Sequence, residues 1–128
     1  MEILTTNGIT ITVETQYLPQ HSDPKEGKFI FGYHITIENG SDFTVQLLRR
    51  HWFIYDGNGT IREVEGEGVI GQQPILEPGQ QHQYASFCDL KTDLGKMRGS
   101  FLLTRRDDDT FFDVPVPEFK LWMPARLN

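Results

Sequence analysis

The sequence predicts an all-β protein, a sandwich or barrel of seven or eight short antiparallel strands. Three observations carry that prediction. Apolar and polar residues alternate with period two in segment after segment, as in Ile9-Thr10-Ile11-Thr12-Val13-Glu14. No window of about eleven residues carries an apolar stripe at helical spacing. Turn-forming runs such as Asn39-Gly40 and Asp56-Gly57-Asn58-Gly59 recur at short intervals between the apolar segments.

The elements follow in chain order. Ile9–Glu14 reads as a half-buried strand, and Leu18–Lys28, with two prolines and a glycine, as a surface loop. Phe29, Phe31, Tyr33, Ile35 and Ile37 alternate over the clearest strand of the chain. Asn39-Gly40 then predicts a tight turn, because both residues tolerate positive φ. Phe43–Tyr55 is a long strand with a phase conflict: Val45 and Leu47 define one face, and Trp52 and Ile54 fall on the other. One extra residue reconciles them, so a β-bulge is expected near Leu48–Arg50, with Trp52 in the core. A hairpin at Asp56–Gly59 leads into Thr60–Glu65, whose charges suit a sheet edge. Gln80–Phe87 and Lys96–Arg105 are further strands, with a loop at Asp89–Gly95. In the last segment Phe112, Val114 and Val116 alternate until Pro117 shifts the phase to Phe119, Leu121 and Met123. Pro115 and Pro117 place this segment at an edge or at a bulge.

Composition bounds the function. At 128 residues the chain (1–128) has the length of one domain, burying roughly two thirds of its unfolded surface. Nine Phe, four Tyr and two Trp supply much of the core. A net charge of −6 argues against nonspecific nucleic-acid binding. The pairs Arg49-Arg50 and Arg105-Arg106 are expected to be solvated or matched by nearby acids, as Asp107–Asp109 suggests for the second. The N-terminus lacks the basic and apolar regions of a signal peptide, and no apolar run approaches the ~18 residues of a membrane span. Cys88 is the only cysteine, which excludes an intramolecular disulfide and a cysteine zinc cage. These features point to the cytoplasm.

Val64–Gly79 holds the one motif that invites a chemical reading. Gly66, Gly68 and Gly71 stand in Gly-x-Gly-x-x-Gly spacing. The dinucleotide fingerprint needs a helix to follow, and Pro74 and Pro78 forbid one. Glu65 and Glu67 would moreover repel a phosphate. The stretch is therefore expected to be a bend between strands, its glycines serving backbone geometry and presenting Val69 and Ile70 to the core. An anion nest of backbone N–H groups at Gly66, Gly68 and Gly71 is the alternative, with Arg49, Arg50 or His51 lending charge if they fold nearby and a divalent cation bridging Glu65 and Glu67 to the phosphate. His21, His34, His51 and His82 lie on separate segments without metal-ligand spacing, and Asp107–Asp109 reads as a solvated hairpin tip. Ser86 and Cys88 lack a nucleophile elbow, and Cys88 beside Phe87 and Leu90 reads as a buried, inert thiol. No catalytic residues, metal site or cofactor are assigned.

Leu48–Trp52, Val64–Pro74, Leu76–Gly79, Leu90–Thr92, Gly95–Gly99 and Phe112–Leu121 together resemble the ApaG family, a match running from about Ile9 to Pro124. The sequence departs from the family at Phe87-Cys88, where Gly usually follows the serine, and at Asp93, where Pro is common. The resemblance implies an immunoglobulin or fibronectin type III-like β-sandwich. Related domains fused to F-box and polymerase-interacting proteins imply an interaction module. Names within the family imply a link to cobalt and magnesium homeostasis or to diadenosine tetraphosphate metabolism, and pyrophosphate binding has been suggested for its glycine motif. The chain is accordingly expected to be a non-enzymatic binding module with a protein partner. The alternative is a nucleotide- or pyrophosphate-binding protein using Gly66, Gly68 and Gly71.

Overall fold

In the computed structural model, whose described residues are 1–124, nine strands form two antiparallel sheets packed face to face. One sheet has the order β1-β2-β3-β7, built from Glu2–Thr6, Ile9–Tyr17, Phe29–Asn39 and Gln81–Leu90. The other has the order β5-β4-β8-β9, from Ile61–Glu67, Val45–Asp56, Leu94–Arg105 and Phe111–Trp122. The two-residue strand β6 (Ile75–Leu76) pairs with β4 beyond the end of β5. The sandwich is thus decided over the barrel. No helix among the described residues is long and apolar enough to cross a membrane.

The core lies where alternation directs it. Ile9, Ile11 and Val13 from β2 and Phe31, Tyr33, Ile35 and Ile37 from β3 face Leu47, Trp52, Phe101, Leu103, Val114 and Phe119 of the second sheet. Trp52 is 3% exposed and meets Phe101, Phe119 and Tyr33 edge-on, with centroids 6.0, 5.8 and 5.8 Å away. That geometry suits the aromatic quadrupoles. The bulge falls where the phase conflict requires it: Leu47 pairs with Leu103 and Arg49 with Leu102, leaving Leu48 unmatched. The Pro117 shift has the same cause. Met97 pairs with Phe119 and Gly99 with Val116, so β9 holds one residue more than β8, at an edge.

Four expectations need correction. The strand β1 and its hairpin at Asn7-Gly8 (φ 51° and 81°) escape the sequence reading, because Ile3 and Leu4 stand side by side and both are exposed. Asn39-Gly40 is a turn without positive φ. It carries the chain from one sheet to the other, and Asn39 is fully buried to hold that corner. Its Nδ2 donates to Phe43 O (2.7 Å) and Leu76 O (2.9 Å), and its Oδ1 accepts from Ser41 N and Oγ. Asp89–Gly95 is mostly strand, and only residues 91–93 turn. Asp56, distant in sequence, caps that turn by accepting from Lys91 N (2.7 Å) and Thr92 Oγ1 (2.6 Å). Finally, Met123 is only partly covered, since β9 ends at Trp122.

Candidate functional site

The glycine stretch folds as a miniature hairpin attached to β4. Val69 N donates to Gln72 O (2.8 Å) and Gln72 N to Val69 O (3.0 Å), an isolated antiparallel bridge. Ile70 and Gly71 close it with φ of 47° and 72°, the paired positive angles of a type I′ turn. Gly68, at φ 62°, donates its N–H to the carbonyl of the bulge residue Leu48 (2.8 Å). The three glycines therefore serve three needs. A methyl group at Gly66 would lie 2.8 Å from the Arg50 guanidinium. One at Gly68 would run into the Gln72 carbonyl, while Gly71 has open space around it and is required by its angle. Val69 is buried as expected, but Ile70 is 61% exposed, because a two-residue turn points its first side chain outwards.

Beneath this hairpin the edges of the two sheets part and leave a cleft of about 160 Å³ lined by Tyr33, Arg50, Trp52, Ile70, Tyr84 and Ser86. Arg50 is its only cation among the described residues. The bulge at Leu48 puts Arg50 in phase with Trp52, so this half-buried side chain faces the sandwich interior. Arg50 Nη1 donates to Glu67 O (2.9 Å) and Gly68 O (3.1 Å). No carboxylate among the described residues forms an ion pair with it. Across the cleft the Tyr84 hydroxyl is buried with no hydrogen-bond partner among the described residues. Burial pushes its pKa upwards, with Tyr33 adding to the effect and the Arg50 charge opposing it. Tyr33 is raised for the same first reason, with the Ser86 hydroxyl working against it. Further along, the gap continues as a second hollow of about 260 Å³ that shares Tyr33, Arg50, Trp52 and Ser86 and is lined by Arg62, which bonds to the Asp89 carboxylate (3.2 Å) and to its main-chain carbonyl.

The remaining sequence candidates sort plainly. His51 is drawn to two acids of the neighbouring strand, Glu63 Oε2 at 2.7 Å and Glu65 Oε1 at 3.2 Å from its Nε2. These are the residues that could hold a metal ion, on the solvent face of β4 and β5. Three N/O donors from two adjacent strands have the chemistry for a divalent transition metal. The structure brings together no second histidine there. Cys88 is buried, and burial pushes its thiol up to about 11, with Arg62 opposing, as an inert thiol requires. Asp107–Asp109 sit on the exposed β8–β9 turn. Neither arginine pair forms an ion pair among the described residues. Arg105 lies instead over the Phe43 ring at 4.1 Å, and Arg106 donates to Gln46 Oε1 (2.8 Å).

A family model described as the ApaG domain matches residues 19–105, which span the hairpin, the cleft and the strands that frame them. The chain belongs to the ApaG family. The "Protein ApaG" of Anaeromyxobacter dehalogenans is 44% identical over 128 residues, all of both chains. That of Azotobacter vinelandii is 45% identical over 120 residues, 94% of each. The crystal structure of an ApaA protein from Bordetella pertussis superposes with a TM-score of 0.88 at 40% identity, covering 91% of this chain and 94% of that one.

In this ApaG-family chain the glycines shape the loop, and the side chains with free polar capacity stand around it. Sequence reasoning weighs Arg50 as half of an arginine pair and, with Arg49 and His51, as a charge for the glycine loop, without placing it on the inward face. The signal that finds it is the phase after the bulge: if Trp52 points inward, so does the residue two before it. Tyr84 and Ser86 share the inward face of β7 with Cys88, and the weak alternation of Gln80–Phe87 hides them.

Proposed function

We propose that the chain is a non-enzymatic binding module that takes an extended segment of a protein partner as an added strand along β7. The observation that supports this reading is the contrast between β7 and the other sheet edges. β1 has only five residues, β5 carries Arg62, Glu63, Glu65 and Glu67, and β9 carries Pro115 and Pro117. Short length, charge and proline each discourage strand addition. β7 has ten residues, QHQYASFCDL, without lysine, arginine or proline. Asn39 N bonds to Gln80 O on the side of β3, while Arg62 reaches Asp89 O from the opposite side. Alternation then turns the main-chain N–H and C=O of Gln81, Gln83, Ala85 and Phe87 to the open edge. Phe87, 71% exposed, offers an apolar contact beside Leu18 and Ile30. Such an edge gives affinity through the backbone and specificity through alternate side chains.

Nucleotide or pyrophosphate binding at Gly66, Gly68 and Gly71 has less to draw on. The amides of Gly68, Val69 and Gln72 already donate within the protein, and the cleft is smaller than the ~300 Å³ at which pockets for small-molecule ligands begin. A role in divalent-cation homeostasis would draw on His51, Glu63 and Glu65. The strand-addition reading is tested by amide hydrogen exchange on the protein with peptides selected against it. The amides of Gln83, Ala85 and Phe87 should gain protection, and Ala85→Pro, which removes an outward N–H, should abolish binding without unfolding the protein. Protection elsewhere, or undiminished binding by Ala85→Pro, refutes it.

A further inference from the structure

We infer that the cleft under the hairpin receives a carboxylate side chain of the docked strand, with Arg50 as its counter-ion and the Tyr84 hydroxyl as its second donor; this rests on strand addition at β7. A strand paired with β7 would alternate its side chains between the outer face, beside Phe87, and the inner face, where Tyr84 and Ser86 line the cleft with Arg50. Whatever points inward therefore meets two groups with polar capacity to spare. Arg50 commits Nη1 to two carbonyls, and its Nε and Nη2 form no hydrogen bond among the described residues. A guanidinium turned towards a protein interior without an acid is an unbalanced charge, and an incoming anion balances it. The Tyr84 hydroxyl is buried without a partner, and a buried donor of that kind costs stability until something accepts from it.

Charge and size select the anion. One guanidinium balances one negative charge, which fits a carboxylate. A pyrophosphate brings more charge than Arg50 can neutralise, and the nearby strand β5 ends in Glu65 and Glu67. The cleft of about 160 Å³ between Trp52, Tyr33 and Ile70 has room for one short side chain. Phosphate compounds are therefore an outcome of the test and no part of the inference.

The experiment uses the full chain and peptides selected against it by display, resynthesised with both ends blocked so that no terminal charge contributes. Peptides that protect the β7 edge amides should share an Asp or Glu at one position of their register. Replacing that acid with its amide should weaken binding at least tenfold. The preference should vanish in Arg50→Gln and shrink several-fold in Tyr84→Phe. Tyr84→Phe guards against misfolding of the arginine variant, since it removes a hydroxyl that bonds to nothing and should leave the free protein as stable as before or more so. Peptides that protect β7 but bind acid and amide equally overturn the carboxylate inference and leave strand addition standing. A preference that persists in Arg50→Gln also overturns it. Failure of every peptide to protect β7 overturns both readings, and competition by inorganic pyrophosphate with no acid shared among the peptides makes the cleft a free-anion site instead.

Discussion

Gly68→Ala separates a glycine kept for backbone geometry from one kept for a ligand, and the structure supplies its own control. Gly68 and Gly71 both have positive φ, 62° and 72°, so alanine at either meets the left-handed region. That alone costs about 1–2 kcal/mol for a residue with a Cβ. The two differ in their surroundings. A Cβ at Gly71 meets nothing within 4 Å, whereas at Gly68 it collides with the Gln72 carbonyl. That oxygen accepts the hydrogen bond from Val69 N that closes the miniature hairpin. Backbone must move, and the bond is lost or weakened at a further cost of roughly 1 kcal/mol. Gly68→Ala should therefore lose about 2–3 kcal/mol and Gly71→Ala about 1–2 kcal/mol. Urea midpoints at a common slope, without any added ligand, measure both. Equal losses, or a Gly68→Ala protein within about 0.5 kcal/mol of the parent, would refute the reasoning.

Two further outcomes follow from the same neighbourhood. Ile70 is a β-branched, exposed residue at φ 47°, the first position of a type I′ turn. Asn tolerates that region far better, so Ile70→Asn should stabilise the protein by about 1 kcal/mol, and a lower urea midpoint would contradict the assigned turn. Cys88, with its thiol raised to about 11, exposes a thiolate fraction of about one in a thousand at pH 8. Alkylation by iodoacetamide there should be roughly a hundredfold slower than for a free thiol and should accelerate on unfolding in urea, and equal rates in the native protein would show the thiol to be accessible.

Much of the fold was legible because burial on one face imposes a period of two that only a bulge can break. The conflict between Val45-Leu47 and Trp52-Ile54 confines the bulge to Leu48–Arg50, where the register puts it at Leu48, and Pro117 marks the second shift. Elements held by distant polar groups were not legible. The corner at Asn39 depends on carbonyls of Phe43 and Leu76, and the turn after Leu90 depends on Asp56. Neither partner announces itself in the local sequence. The glycine motif was legible as a bend, but the outward side chain of Ile70 was not, since β-branched residues are the last choice for a left-handed turn position.

The residues that break local rules lie together. Arg50 is a cation on the core-facing phase of a strand, Tyr84 holds a buried hydroxyl without a partner, and Ile70 takes a left-handed conformation that its side chain disfavours. Each carries a cost that a sequence selected for stability alone would shed through Met, Phe and Asn at those positions. Independent accidents would be scattered over two sheets and their loops. Instead all three line one cleft, beside the one long edge among the described residues without lysine, arginine or proline to blunt it. Local rules are broken most often where a protein binds something, because the missing partner is supplied from outside. For this cleft that partner has to bring an acceptor for Tyr84 and a charge for Arg50, and a strand on β7 is placed to bring both.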